Sequence, residues 1–166
     1  MLKQKFHQSN LRKARIYNSE QPYFVTICTH NKHNILTKGN VPETIIDSVK
    51  WFINTLKIVF LGFVIMPDHF HWAFALKENY TLDNILCGYK SFTAKKIKEL
   101  LYSETKIWQD GYYDHLLRDV KDFKVKLDYM HDNPIRKGMV NSPEEYLYST
   151  ANEKYTDMID WEYVGY

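Results

Sequence analysis

Two apolar runs, Ile58–Met66 and His69–Leu76, are separated by Pro67-Asp68 alone. Runs of that length and β-rich composition, joined by two residues, read as a tight hairpin, which commits the chain to an antiparallel sheet. The flanking segments supply the rest. Pro22–Thr29 (PYFVTICT) reads as a first strand. Val41–Leu56 is a helix, with Ile45, Val49, Phe52, Ile53 and Leu56 at helical spacing. Thr81–Leu101 is a long basic helix carrying Ile85, Leu86, Phe92, Ile97 and Leu100, and Tyr112–Arg118 is a short fourth strand. Asp119 then reads as the N-cap of a last helix, Val120 to about Asp132, with Asp122 at its third position.

The order β-α-β-β-α-β-α is the split βαβ arrangement of a ferredoxin-like (RRM-like) α+β fold with an added C-terminal helix. It predicts a four-stranded antiparallel sheet, first and third strands central, with helices packed on it. That architecture hosts many functions and selects none. We read residues 1–166 as a single domain with a core of about 22–150, a basic arm over 1–21 and an acidic tail over 151–166.

Charge points to a polyanionic partner. Net charge is only +2, yet residues 1–140 carry 21 Lys/Arg against 14 Asp/Glu. Arg12 and Lys13 belong to an N-terminal cluster, and Lys90, Lys95, Lys96 and Lys98 form another. A solvated basic face accounts for the same numbers. Two cysteines, Cys28 and Cys87, in no metal-binding spacing exclude a disulfide framework or zinc cluster. The apolar run Ile58–Met66 is far too short to cross a bilayer, and the N-terminus shows no signal peptide, so a cytoplasmic location is expected and no membrane partner.

Alternation in the third strand puts Phe70, Trp72, Phe74 and Leu76 on a core face. His69, His71, Ala73 and Ala75 share the other, where the alanines leave room for a ligand to approach. Two imidazoles at i and i+2 can reach one metal ion, although an incidental pair fits the spacing equally well. In the last helix Val120, Phe123, Leu127 and Met130 form an apolar stripe, and Tyr129 lies off it beside Asp122, Lys126 and Asn133. Asn133, one turn after Tyr129, precedes Pro134 and reads as a helix end or as an amide directed at a metal.

Val64-Ile65-Met66-Pro67-Asp68-His69-Phe70-His71-Trp72 resembles the HUH signature (His, hydrophobe, His) of the single-tyrosine transposases. Trp108–Asp119 and the Tyr-x3-Asn-Pro pattern of Leu127–Gly138 resemble theirs too. With Tyr23–Thr26 and Ser142–Tyr146, the set is most similar to the REP-associated tyrosine transposases, over roughly residues 22–150. The resemblance implies cleavage and rejoining of single-stranded DNA beside hairpins through a 5′-phosphotyrosine. Tyr129 would be the nucleophile, with His69, His71 and Asn133 holding a divalent metal, Mg²⁺ or Mn²⁺. Asp68 stands where relatives carry Asn or Glu, with little consequence expected.

Lys90, Ser91, Lys95, Lys96, Arg12 and Lys13 are the expected DNA contacts, with Tyr89 and Phe92 available for base stacking, although Phe92 also suits the core. His115 and His131 are candidates for proton transfer or for packed or surface histidines. The expected partner is single-stranded or hairpin DNA, bound by a monomer or homodimer. A non-catalytic RRM-like nucleic-acid-binding module is the alternative. A His-x-His-x-His hydrolase ranks last, because Ala73 stands where a third histidine is needed.

Overall fold

Strands Ile58–Met66 (β2) and His69–Leu76 (β3) pair antiparallel from Ile58↔Leu76 to Met66↔His69 in the computed structural model, which describes residues 21–163 apart from Leu56 and Glu78. Pro22–Cys28 (β1) runs antiparallel to β3, and Tyr113–Leu116 (β4) antiparallel to β1, giving the order β2-β3-β1-β4. The first and third strands are central, as the element order requires.

Two layers cover the sheet. Helices Val41–Asn54 (α1) and Leu82–Leu101 (α2) pack on one face, over Tyr23, Val25, Ile27, Phe70, Trp72 and Phe74. The opposite face carries helix Val120–His131 (α3), whose Phe123, Leu127 and Met130 meet Phe24, Leu61, Val64, Met66 and Ala73. With both faces covered, β2 reads as an unbroken apolar run instead of an alternating one. The alanines expected to leave open space are therefore buried under this second layer. Val120, expected in the apolar stripe, is 49% exposed, because the stripe meets the sheet only from Phe123 onward.

A bulge between Phe60 and Gly62 adjusts β2 to its two layers. Phe60 and Phe63 join the α1/α2 core while Leu61 and Val64 join the α3 core, so one residue is absorbed at Gly62. Gly62 has φ +145°, and a Cβ there would stand 2.9 Å from Met130 Cε and 3.0 Å from Leu127 Cδ1. Helix α3 thus approaches the sheet as closely as a glycine permits.

Cap chemistry sets where α3 begins. Asp119 accepts a hydrogen bond from Asp122 N at 2.8 Å, as its position before the helix predicts. The far end departs from expectation. The chain does not leave helical geometry at Asn133 but starts a new turn, Asn133–Arg136 (α4), with Pro134 near its start. Proline is tolerated there because the first turn's N–H groups have no helical partner anyway. Beyond it, Tyr146 donates from its hydroxyl to Ile65 O at 2.8 Å, and Tyr155 and Ile159 are buried in the α1/α2-side core. Among the described residues no helix is long and apolar enough to cross a membrane.

Replacing Gly62 by Ala should cost on the order of 1–3 kcal/mol, from backbone strain at positive φ and from crowding of α3. Urea denaturation reads this as a lower midpoint. An unchanged midpoint would contradict the close packing of α3 on β2.

Candidate active site on the α3 face of the sheet

The pairing of β1 with β3 sets Phe24 opposite Ala73, Thr26 opposite His71 and Cys28 opposite His69. His69 and His71 lie side by side on this face, ring centroids 4.6 Å apart and planes at 76°. His71 is 4% exposed, and its Nδ1 sits 2.8 Å from Thr26 Oγ1. His69 Nδ1 lies 2.6 Å from Asp68 Oδ1, and an ionised carboxylate can only accept, so the ring proton sits on Nδ1. Each imidazole is thereby held through Nδ1, which turns Nε2 into the free corner of the ring. Nε2 of His71 is buried with no hydrogen-bond partner.

Burial also keeps both rings neutral. It lowers the pKa of His71 to about 3, aided by His69, Lys32 and Lys126. Burial likewise lowers that of His69, outweighing the opposing pull of Asp68. Neutral imidazoles with an unprotonated ring nitrogen are the form that binds metal.

Asn133 is buried, and its Nδ2 donates to Tyr129 O at 3.0 Å, leaving the amide oxygen as its acceptor group. Two imidazole nitrogens and one amide oxygen fit Mn²⁺ well and Mg²⁺ less well, since Mg²⁺ favours an all-oxygen shell. Among the described residues no cluster of three His, Cys, Asp or Glu side chains is present, so the dihistidine has no third such ligand.

Tyr129 is 39% exposed and stands edge-on to His71 at 5.7 Å and to Phe24 at 6.2 Å. Two cations flank it: Lys126 Nζ is 6.0 Å and Arg136 Cζ 5.0 Å from the ring centre. Tyr129, His71 and the ring it leans on all come from one chain, because α3 lies on its own sheet.

The other expected site residues are engaged by partners of their own or lie on the opposite face. His115 Nε2 meets Asp122 Oδ2 at 2.9 Å, tying β4 to the first turn of α3. His131 Nε2 meets Thr150 Oγ1 at 2.9 Å, and burial lowers its pKa to about 4. Helix α2 sits on the opposite face of the sheet, so Lys90, Ser91, Lys95 and Lys96 do not reach the dihistidine. Lys90 donates to Gln109 O and Gly111 O at 2.7 and 2.8 Å, fastening that loop, and Lys96 pairs with Glu99 at 3.2 Å. Tyr89 is fully buried against Phe70 and Trp72 and cannot stack on a base, whereas Phe92 is 53% exposed. Phe92 borders a groove of ≈ 760 Å³ between α1 and α2, with Trp51 and Lys57. Arg12 and Lys13 lie outside the described residues.

Thr26 and Arg136 were given no role from the sequence. Asp68, expected to matter little, is the group that orients His69. Its position directly before the first histidine was an available signal; Thr26 offered none without the strand register.

Residues 17–133 match the family of IS200-like transposases. The chain belongs to that family. A Haemophilus influenzae protein assigned to the REP-associated tyrosine transposases is 35% identical over 96 residues, covering 52% of this chain and 54% of the relative. The REP-associated tyrosine transposase of Escherichia coli K12 is 27% identical over 89 residues, covering 54% and 52%. The IS200-like chain thus spans about half the length of these two curated relatives. A solved REP-associated tyrosine transposase bound to a REP hairpin shares the fold, with a TM-score of 0.68 at 21% identity over 82% of this chain and 79% of that one.

Thr26→Val keeps the shape but removes the partner of His71 Nδ1. Calorimetric titration with Mn²⁺ should show roughly 10- to 100-fold weaker binding, the range for loss of an outer-shell partner. Undiminished affinity would mean that Thr26 does not orient the ring.

Proposed function

We propose that this transposase-family chain is a metal-dependent enzyme that cuts and rejoins single-stranded DNA beside hairpins, with Tyr129 as nucleophile and a 5′-phosphotyrosine as intermediate. The observation that carries the reading is the buried, unpartnered Nε2 of His71, next to a second oriented imidazole and beside an exposed tyrosine. A buried ring nitrogen without a partner costs roughly 1–3 kcal/mol and calls for a ligand that completes it.

His69, His71 and Asn133 would hold a divalent ion, which when bound would supply Lewis-acid charge to a phosphodiester. The chain's own groups do the rest. Nδ1 contacts from Asp68 and Thr26 hold the rings in place before substrate arrives. The Tyr129 oxygen attacks phosphorus, and Lys126 and Arg136 offset the negative charge that gathers there. The tyrosyl ester conserves the energy of the broken bond, so a returning 3′-OH can reseal the strand without ATP.

The hairpin as substrate draws support from the solved relative with its REP hairpin and from the curated REP-associated relatives. This reading places the reaction in the cytoplasm, with its DNA substrate.

The test is incubation of the protein with a hairpin-bearing single-stranded oligonucleotide and Mn²⁺, followed by a denaturing gel. A slow-migrating protein–DNA adduct is expected, and chelator or His71→Ala should abolish it. Tyr129→Phe removes one oxygen and little volume, so hairpin binding should persist while the adduct disappears. An adduct formed by Tyr129→Phe at the wild-type level would overturn the assignment.

A further inference from the structure

A short 3₁₀ turn, His30–Lys32, follows β1 directly, and it holds Asn31 and Lys32 at φ +51° and +56°. Left-handed backbone at two consecutive non-glycine residues persists only where surrounding contacts impose it. The buried Thr29 donates to Asp68 O from both its backbone N (2.9 Å) and its Oγ1 (3.0 Å). Ile35 N and Leu36 N donate to Pro67 O at 2.9 and 3.0 Å, and His30 N donates to Ile107 O at 2.7 Å. The turn is therefore bolted to the hairpin tip that carries His69.

What the turn presents there is an ammonium group. Lys32 Nζ donates to Cys28 Sγ at 3.0 Å and lies 3.9 Å from Asp68 Oδ2, with its side chain 55% exposed. Thiol sulfur is a weak acceptor and the carboxylate is at the edge of ion-pair range, so the ammonium keeps capacity for a stronger anionic partner. Burial would lower its pKa, but Cys28 and Asp68 raise it, and the group stays protonated.

Position gives this cation its role. Along the paired strands, Tyr129 leans on Phe24 and His71, whereas Lys32 sits on Cys28 and Asp68, beyond His69. Phe24 and Cys28 are separated by about 13 Å of extended strand. Nucleophile and ammonium thus flank the dihistidine from opposite ends. In an in-line displacement the leaving oxygen departs on the side of phosphorus opposite the attacking one, which directs the 3′-oxygen toward Lys32.

We propose that Lys32 is a catalytic residue, the acid that protonates the departing 3′-oxygen; this rests on the nuclease reading above. The Tyr129 Oη–phosphorus bond forms as the tyrosine loses its proton to water. The phosphorus–O3′ bond breaks with its electron pair going to O3′, which takes a proton from Lys32 Nζ. The neutral amine recovers a proton from solvent. In rejoining, Lys32 first returns that proton to solvent and then accepts the proton of the incoming 3′-OH as the O3′–phosphorus bond forms; the Tyr129 Oη–phosphorus bond breaks with its electron pair going to the tyrosine oxygen, which takes a proton from water.

The test compares single-turnover cleavage of two hairpin oligonucleotides in Mn²⁺, one with the natural 3′-oxygen at the cut site and one with 3′-sulfur. A thiolate leaves without protonation, so it bypasses the acid. Lys32→Met and Lys32→Gln should slow cleavage of the natural strand by roughly 10²- to 10³-fold, within the usual range for general acids. On the 3′-sulfur strand both variants should come within about tenfold of wild type, the residue of that same effect. Mn²⁺ affinity, titrated separately, should be unchanged. Equal slowing on both strands, no slowing on either, or a loss of Mn²⁺ affinity that accounts for the defect would overturn the role of Lys32. Wild-type protein that forms no adduct on either strand would instead overturn the nuclease reading, and this proposal with it.

Discussion

Alternation along a strand buried on both faces is the constraint from which the rest of the molecule follows. Every second residue of β3 is a large apolar ring or Leu76, and these close the core under α1 and α2. The intervening positions, His69, His71, Ala73 and Ala75, cannot join that core without a shift of register that would expose the rings to solvent. The imidazoles are thus held on the α3 face by the hydrophobic stability of the opposite one. Helix α3 then descends on the same face, as near as Gly62 allows, and carries Tyr129 to His71.

This arrangement settles the electrostatics without a cluster of carboxylates. Burial pushes the pKa of both histidines downward, so two neutral nitrogen donors stand in a partly desolvated site. Around them are cations from three separate segments: Lys32 from the turn after β1, Lys126 from α3 and Arg136 from α4. Under the proposed reaction such a site would favour an anionic phosphodiester, and the attraction would grow as charge develops during attack. Asp68, the nearest acid, is occupied with His69 and with Lys32 and serves to orient instead of to repel.

What could be read in the sequence was the information local to it. The hairpin at Pro67-Asp68, the Asp119 cap and the separation of Tyr129 from the Phe123–Leu127–Met130 stripe each depend on neighbours within a few residues. Asn133 was half legible: its place one turn after Tyr129 was correct, but proline at the start of a new turn was read as the end of an old one. Tyr89 was misjudged as available for stacking, and the core alternative for Phe92 fails, because the helix face that meets the sheet depends on tertiary packing. The α2 lysines, expected as DNA contacts, lie across the sheet from the dihistidine. Thr26 lies 45 positions from His71 in the chain and becomes visible only through the β1–β3 register.

The account stands on one residue among thirteen of its kind. Peptide mapping by mass spectrometry of the trapped protein–DNA adduct addresses it most directly. The account predicts a nucleotide joined through its 5′-phosphate to Tyr129 and to no other tyrosine. A 5′-phosphate found on Tyr112, Tyr113 or any other tyrosine would contradict it, since Tyr129 is the tyrosine whose ring stands against His71.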